Sequence, residues 1–293
     1  MPKPLHAQRY FMSHAGVRVE CLDERQRPIS GSTGSGFLRR EDGLLYLYTA
    51  WHVVTGFDPH HVIVGFELPR RRYVRVALQD VREPQQGVRI IGGAQHLVVP
   101  LYANPTASIG PLQPLWQQNN EHIPHELLNN VGLFVPFWND IIKIALPESV
   151  RISETQLITD DQLMPSEQPW VGDKCFIVGF PYGFSAAVGV DQPTPVVLTR
   201  FIASAHITGA RKFEFFLDGY GAPGMSGGPV FLEREQQLYL IGAYTGDIFP
   251  DHGLCQWEKK TALGTVTDIR LMLDGAVTMT TQPSNPIRQT DSI

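Results

Sequence analysis

A serine enclosed by glycines is the residue of this sequence best suited to nucleophilic chemistry. Residues 224–229 read Gly-Met-Ser-Gly-Gly-Pro, and the apolar run Val-Phe-Leu follows. Glycines on both sides let the backbone turn tightly and approach a substrate closely. Two N–H groups of such a turn can point into one small volume and stabilise an oxyanion. Ser226 is therefore predicted to be a nucleophile; the alternative is a serine that only caps a glycine-rich hairpin.

A serine hydroxyl is a weak nucleophile and needs a base to remove its proton. Among the ten histidines, His52 has the most distinctive position. It lies in Thr-Ala-Trp-His-Val-Val at 49–54, at the end of an apolar run, and follows Gly-Ser-Gly-Phe at 34–37. An imidazole in this position can serve first as general base and then as general acid. The alternative is a core histidine that bonds only to backbone groups.

An imidazole base needs an acceptor that fixes its tautomer and stabilises its cation. Asp140 leads the hydrophobic run 141–146, so its carboxylate is predicted to be partly buried and to serve as that acceptor; the alternative is a strand-start cap. Asp140 lies 88 positions after His52 and 86 before Ser226. Weaker candidates lie in polar stretches: Asp160, Asp161 and Asp173.

Short β-strands must position these side chains. Apolar, β-branched and aromatic runs recur between turn residues, which predicts strands, at 43–50, 62–68, 73–78, 96–101, 141–146, 175–180, 196–203, 213–217 and 238–244. The clearest helical pattern is a short segment at 268–274. Regular alternation of strands and helices is missing, which argues against a doubly wound sheet. The chain is therefore predicted to be all-β with a short C-terminal helix.

The motif at 224–228 also satisfies Gly-x-Ser-x-Gly, the nucleophile elbow of α/β-hydrolases. That elbow requires a helix directly after the serine, followed by the acid and then the histidine. Here Pro229 and a strand-like run follow, and His252 is the only histidine after the serine. The local sequence therefore disfavours the elbow.

Taken together, these motifs resemble the trypsin-like (chymotrypsin-fold) serine peptidases, and most of all their compact bacterial, HtrA-type members. The resemblance also includes Val-Gly-Phe-Pro-Tyr-Gly at 178–183 and Ile-Gly-Ala-Tyr-Thr at 241–245, and it spans about 15–275. It implies two six-stranded antiparallel β-barrels, the first at about 15–150 and the second at about 151–275. It leaves too few residues after 275 for a PDZ domain, and residues 281–293 are predicted to form a flexible tail.

The resemblance implies a role for each site residue. Ser226 corresponds to the nucleophile, His52 to the base, and Asp140 to the orienting carboxylate. The N–H groups of Gly224 and Ser226 correspond to the oxyanion hole.

Substrate contacts are implied at four further positions. Tyr220 corresponds to the base of the primary side-chain pocket, and because it is not acidic we expect a preference for uncharged side chains. The backbone of Ala243, Tyr244 and Thr245 corresponds to the strand that pairs with an extended peptide. The hydroxyl of Thr245 corresponds to one that supports the buried acid.

Met225 departs from the pattern of many secreted relatives, which carry at this position an aspartate that pairs with a newly cut N-terminus. A thioether cannot form that ion pair, so activation by N-terminal clipping is not expected.

Composition excludes several other classes of function. The chain has 293 residues, a net charge of −5 and a pI of about 6.0, which disfavours nucleic acid as a main partner. No run approaches the 18 apolar residues of a membrane span. No targeting segment is recognisable, so we expect a cytoplasmic protein. Neither a metal site nor a cofactor is expected, because no histidine or cysteine cluster has ligand spacing.

The leading hypothesis is thus a serine endopeptidase that hydrolyses protein or peptide substrates through an acyl-enzyme. A second hypothesis is a catalytically weak module on the same fold that binds peptides or partners. A third is a peptidase whose activity depends on a regulatory partner protein.

Overall fold

A computed structural model describes residues 11–57, 63–64, 70–81, 91–107, 112–118, 133–134, 140–164, 169–186, 193–204, 214–248, 263–273 and 277–278. The predicted tail at 281–293 lies outside these residues.

The described chain is mostly β, as the sequence predicted. Its strands are β1 (Val17–Leu22), β2 (Pro28–Glu41), β3 (Leu44–Thr49), β4 (Ile63–Val64), β5 (Tyr73–Val81), β6 (Ile91–Pro100), β7 (Trp116–Gln118), β8 (Leu133–Phe134), β9 (Ile142–Ala145), β10 (Leu157–Ile158), β11 (Lys174–Gly179), β12 (Val196–Ser204), β13 (Glu214–Leu217), β14 (Pro229–Arg234), β15 (Gln237–Ile248), β16 (Leu263–Asp268) and β17 (Val277–Thr278). Helix α1 (Trp51–Thr55) follows β3, and α2 (Arg270–Leu273) follows β16. The predicted C-terminal helix is therefore present, and it begins at Arg270 because Asp268 still belongs to β16.

The second half of the chain forms the closed six-stranded antiparallel barrel that the resemblance implied. Its strands are ordered β11-β12-β13-β16-β15-β14, and β14 pairs back onto β11. Its interior is filled by apolar side chains. Met225 is fully buried among them, so this position serves core packing rather than an ion pair.

Within the described residues, the first half forms a curled half-barrel. Its nine described strands form a curled, open sheet in the order β17-β7-β9-β3-β2-β1-β5-β6, with β10 paired to β2. The two end strands, β17 and β6, do not pair with each other among the described residues. Strands β10 and β17 come from outside the predicted 15–150 segment, since they lie after residue 150. The first sheet is thus a half-barrel completed by later parts of the chain.

A shared apolar layer joins the two halves. The first sheet contributes Phe37, Tyr46, Tyr48, Ile141 and Ile158, and the second barrel contributes Phe176, Val178, Phe231, Leu238, Leu240 and Ala243. Met12 and Ala15 of the helical turn at 11–15 pack into the same layer. Burial of each large side chain stabilises the contact by about 1.5–3 kcal/mol. This layer fixes how the two halves meet.

The closed barrel and the curled half-barrel are consistent with a chymotrypsin-like double barrel. The predicted boundary near residue 150 stays a prediction. Within the described chain, no helix has the length and apolar character that a membrane crossing requires.

Candidate active site

His52 and Asp140 form a hydrogen-bonded pair at the edge of the first sheet. Strand β3 pairs with β9, with Thr49 opposite Ile142, and this register brings the start of α1 next to Asp140, two residues before β9. Asp140 Oδ2 lies 2.5 Å from His52 Nδ1. The backbone N–H of His52 donates to Asp140 Oδ1 at 2.9 Å. Both carboxylate oxygens therefore hold the same histidine.

The environment of this pair suits an acid–base role. The Asp140 side chain is 3% exposed, whereas that of His52 is 27% exposed. A carboxylate at Nδ1 favours the tautomer with its proton on that nitrogen. The other nitrogen, Nε2, is then left with a lone pair that can accept a proton.

In the turn that carries Ser226, some backbone N–H groups donate hydrogen bonds within the protein and others do not. Those of Met225, Gly227 and Gly228 donate to Ala222, Tyr244 and Met225 carbonyls at 2.9, 2.7 and 2.9 Å. For the N–H groups of Gly224 and Ser226, the described residues provide no acceptor. Two donors without a partner, separated by one residue, form the arrangement that an oxyanion requires.

The peptide between Pro223 and Gly224 has a fixed orientation. The N–H of Tyr182 donates to the Pro223 carbonyl at 2.5 Å. In a trans peptide the C=O and N–H groups point in opposite directions, so this bond turns the Gly224 N–H away from Tyr182. Gly224 has φ +93°, and a Cβ there would lie 2.5 Å from the Phe180 carbonyl oxygen, so only glycine fits.

Ser35 ties this turn to the first sheet. Its N–H donates to the Ser226 carbonyl at 2.8 Å, and its Oγ donates to the Gly224 carbonyl at 2.7 Å. The same Oγ accepts from the Phe180 N–H at 2.9 Å, and Ser35 is fully buried. The motif at 34–37 was recognised in the sequence, but this role was not. A serine between two glycines is visible in the sequence and marks Ser35 as unusual. Its hydrogen-bond partners are far away in the chain, so the sequence does not identify them.

The serine turn meets the segment that carries His52 at the seam between the two halves. A Cβ on Gly227 would lie 2.7 Å from the Ala50 backbone nitrogen, two residues before His52. Within the described chain, no hydrogen bond joins the Ser226 hydroxyl to the His52 ring. In enzymes without substrate such bonds are often long and shorten only in the reactive complex.

The segment predicted to pair with a peptide, residues 243–245, lies partly inside the sheet. Ala243 and Tyr244 are buried, and the Tyr244 N–H donates to the Gly228 carbonyl at 2.9 Å. Because its carbonyl also accepts from Gly227, Tyr244 has no backbone group left for a peptide. Residues 245–248 pair only with β16 among the described strands. Among the described strands, the open edge of β15 therefore begins at Thr245, and the peptide contacts of Ala243, Tyr244 and Thr245 stay a prediction.

The structure gives the partners of two other residues whose predicted roles stay predictions. The Thr245 hydroxyl lies 3.3 Å from the hydroxyls of Thr265 and Thr267, and the described chain shows no hydrogen bond between it and Asp140. Tyr220 is 51% exposed, and its carbonyl accepts from the Arg200 guanidinium at 2.6 and 3.2 Å.

Two further reactive side chains in the described part of the chain are thiols. Cys21 and Cys175 are free, buried thiols, and burial raises the pKa of each to about 12, which disfavours the nucleophilic thiolate. Across the described ranges, no three histidine, cysteine or acidic residues come together as metal ligands.

Comparisons with known proteins give little at the level of sequence. No protein-family model matches the chain, and no curated protein matches it. Among solved structures, the chain is similar to the serine endoprotease from Yersinia pestis, at 15% identity and a TM-score of 0.48. That similarity covers 93% of this chain but only 65% of the Yersinia protein.

Proposed function

We propose that this protein is a serine endopeptidase. The observation that carries the proposal is the 2.5 Å contact between the buried Asp140 carboxylate and Nδ1 of the partly exposed His52. It lies at the seam where the Ser226 turn presents two N–H groups without acceptors in the described chain. This combination supports acyl transfer to a serine hydroxyl.

The proposed reaction begins when His52 Nε2 removes the proton of Ser226 Oγ as that oxygen attacks a peptide carbonyl. The carbonyl oxygen gains the negative charge and accepts hydrogen bonds from Gly224 and Ser226 N–H groups. Asp140 stabilises the imidazolium, which then protonates the departing amine. The acyl-enzyme is hydrolysed when His52 removes a proton from water and returns it to Ser226.

The substrate would bind as an extended peptide on the open edge of β15 at residues 245–248. Main-chain hydrogen bonds to such an edge provide affinity with little dependence on sequence. A Cβ built on Gly246 meets no atom within 4 Å, so the face of β15 at this position is open to a substrate side chain. A protein or peptide substrate is therefore proposed.

Labelling by a fluorophosphonate probe tests the nucleophile directly. We expect wild-type protein to be labelled at Ser226 and Ser226→Ala to remain unlabelled. Ser204→Ala is the matched control, because Ser204 has similar intermediate exposure but lies in β12. Folded wild-type protein that is neither labelled nor cleaves a peptide library contradicts the proposal, and peptide binding under those conditions would favour the binding module instead.

A further inference from the structure

The space behind the serine turn is occupied by the side chain of Tyr244. This residue is 1% exposed and packs in the core of the second barrel. A Cβ on Gly221 would lie 2.7 Å from Tyr244 Cζ, and one on Gly264 would lie 3.1 Å from Tyr244 Cε2. The ring therefore lies against two glycines, one in the segment before Ser226 and one in β16.

Hydrogen bonds hold this ring in place. The Tyr244 hydroxyl accepts from the Gly221 N–H at 2.7 Å and donates to the Asp247 carboxylate. Burial, together with the bond to Asp247, raises the pKa of Tyr244, so the hydroxyl stays protonated as a donor. Because the backbone of Tyr244 also bonds to Gly227 and Gly228, the residue is fixed at both ends.

The location of the ring matters because of the path that a peptide must take. A strand paired with residues 245–248 ends beside Ser226, since Tyr244 immediately precedes that edge and bonds to Gly227. The carbonyl under attack must face the N–H groups of Gly224 and Ser226. The proposed peptide would place the side chain N-terminal to that carbonyl next to the Tyr244 ring, which lies between β15 and the segment 219–225 because its hydroxyl bonds to Gly221.

We infer that Tyr244 restricts cleavage to sites that follow a small, uncharged residue, namely glycine, alanine or serine. This inference rests on the proposed peptidase function and names its substrate class. With the ring in that place, a large substrate side chain would have to displace it and break the hydroxyl bonds to Gly221 and Asp247. The identity of Tyr220 at the exposed rim is then secondary.

A series of peptides that differ only in the residue before the cleavage site tests the inference. We expect wild-type kcat/KM to be about 100-fold higher for alanine than for leucine or phenylalanine at that position. Tyr244→Val should raise kcat/KM for leucine and phenylalanine about 100-fold relative to alanine. Tyr239→Val, the same substitution at the far end of β15, should keep the wild-type preference.

Each result shows whether Tyr244 or another residue sets the preference for small substrate side chains. Efficient wild-type cleavage after leucine, phenylalanine or arginine overturns the inference without any variant, so a Tyr244→Val protein that fails to fold does not prevent the test. A preference that changes in Tyr220→Ala would also overturn it. Tyr244→Phe, which keeps the ring, should retain the preference for alanine.

Failure of this inference can be distinguished from failure of the proposed function. Fluorophosphonate labelling of Ser226 together with cleavage after large residues overturns the Tyr244 assignment alone. Absence of both labelling and cleavage overturns the peptidase function and the Tyr244 assignment with it.

Discussion

The two halves of the candidate site are held in different ways. The acid–base pair belongs entirely to the first sheet, where His52 and Asp140 hold each other through two hydrogen bonds and the pairing of β3 with β9. The serine turn belongs to the second barrel, yet two of its carbonyls bond to Ser35 of the first sheet. The acid–base pair is thus held by hydrogen bonds within the first sheet, whereas the serine turn is held by hydrogen bonds across the seam.

Because of this difference, substitutions can affect proton transfer and the position of the serine turn separately. A substitution within the acid–base pair should change proton transfer while the serine turn keeps its geometry. A substitution at Ser35 should leave the pair intact and loosen the turn, because Gly224 and Phe180 would each lose a buried partner. Docking of the two halves through the shared apolar layer is therefore part of the site's assembly.

The largest effect is expected at the carboxylate. Asp140→Asn would place an amide N–H₂ against His52 Nδ1, so the imidazole must carry its proton on Nε2 and cannot accept one from Ser226. We expect kcat to fall about 10⁴-fold with the fold intact. Steady-state kinetics and circular dichroism measure both quantities, and an unchanged rate would reject the assignment of Asp140.

A smaller effect is expected from the residue that bridges the seam. Ser35→Ala removes the hydroxyl that holds the Gly224 carbonyl, so the two free N–H groups lose their common orientation. We expect kcat to fall about 10²-fold, comparable to loss of one oxyanion donor, with KM nearly unchanged. The same variant should also lose stability, because two buried backbone groups become unpaired.

Ser32→Ala separates the two consequences. Ser32 is buried in the same strand and donates to the carbonyls of Cys21 and Ile29, away from the serine turn. Ser32→Ala should lose about as much stability as Ser35→Ala but keep the wild-type kcat. Equal losses of kcat in both variants would show that Ser35 acts through stability alone.

The sequence predicted those parts of the molecule whose signals are local. Glycines around Ser226, an apolar strand before His52 and another after Asp140 can each be read within about ten residues. The closed second barrel was expected from the resemblance to trypsin-like peptidases, and all six of its strands are consecutive in the chain. By contrast, the open first sheet depends on β10 and β17, which pair with strands more than a hundred residues earlier.

The roles of Ser35 and Tyr244 were not predicted for a related physical reason. The partners of Ser35 lie 145 and 189 positions away, so no spacing within its motif reveals them. Tyr244 was assigned to peptide pairing because the strand motif is visible in sequence. That its backbone is already bonded to Gly227 and Gly228 follows only from the three-dimensional turn.

A cluster of charged and polar side chains around Glu41 stabilises the first sheet away from the serine turn. Glu41 accepts hydrogen bonds from Lys143 at 2.5 Å and from Tyr48. Burial opposes ionisation of Glu41, but these bonds outweigh it and lower its pKa. Glu41→Gln should lower the free energy of unfolding by about 2 kcal/mol at pH 7, because charged hydrogen bonds are lost.

The pH dependence of this effect has a definite sign. A depressed folded-state pKa stabilises the protein above the unfolded-state pKa, and this stabilisation is lost as pH falls through the folded-state pKa. In urea unfolding, the difference between wild type and Glu41→Gln should therefore begin to shrink below the unfolded-state pKa of about 4.3 and disappear at a lower pH, below the folded-state pKa. Exposed Glu24→Gln serves as control and should show no such convergence. A difference that stays constant with pH would contradict the assignment.

The smallest expected effect separates backbone from side chain at Tyr182. This residue has φ +54° and a side chain that is 76% exposed, while its N–H fixes the Pro223 carbonyl. Glycine adopts this conformation without the strain of about 1–2 kcal/mol that a side chain incurs, but loses about 0.5–1 kcal/mol more entropy on folding. Tyr182→Gly should therefore change the free energy of unfolding by less than about 1 kcal/mol and keep kcat, since the N–H remains.

Tyr182→Pro lacks that N–H and cannot adopt a positive φ, so its kcat should fall because Gly224 is no longer oriented. If Tyr182→Gly lost activity as Tyr182→Pro does, the exposed ring rather than the backbone would be responsible, and the turn would not be held in the way that its hydrogen bonds indicate.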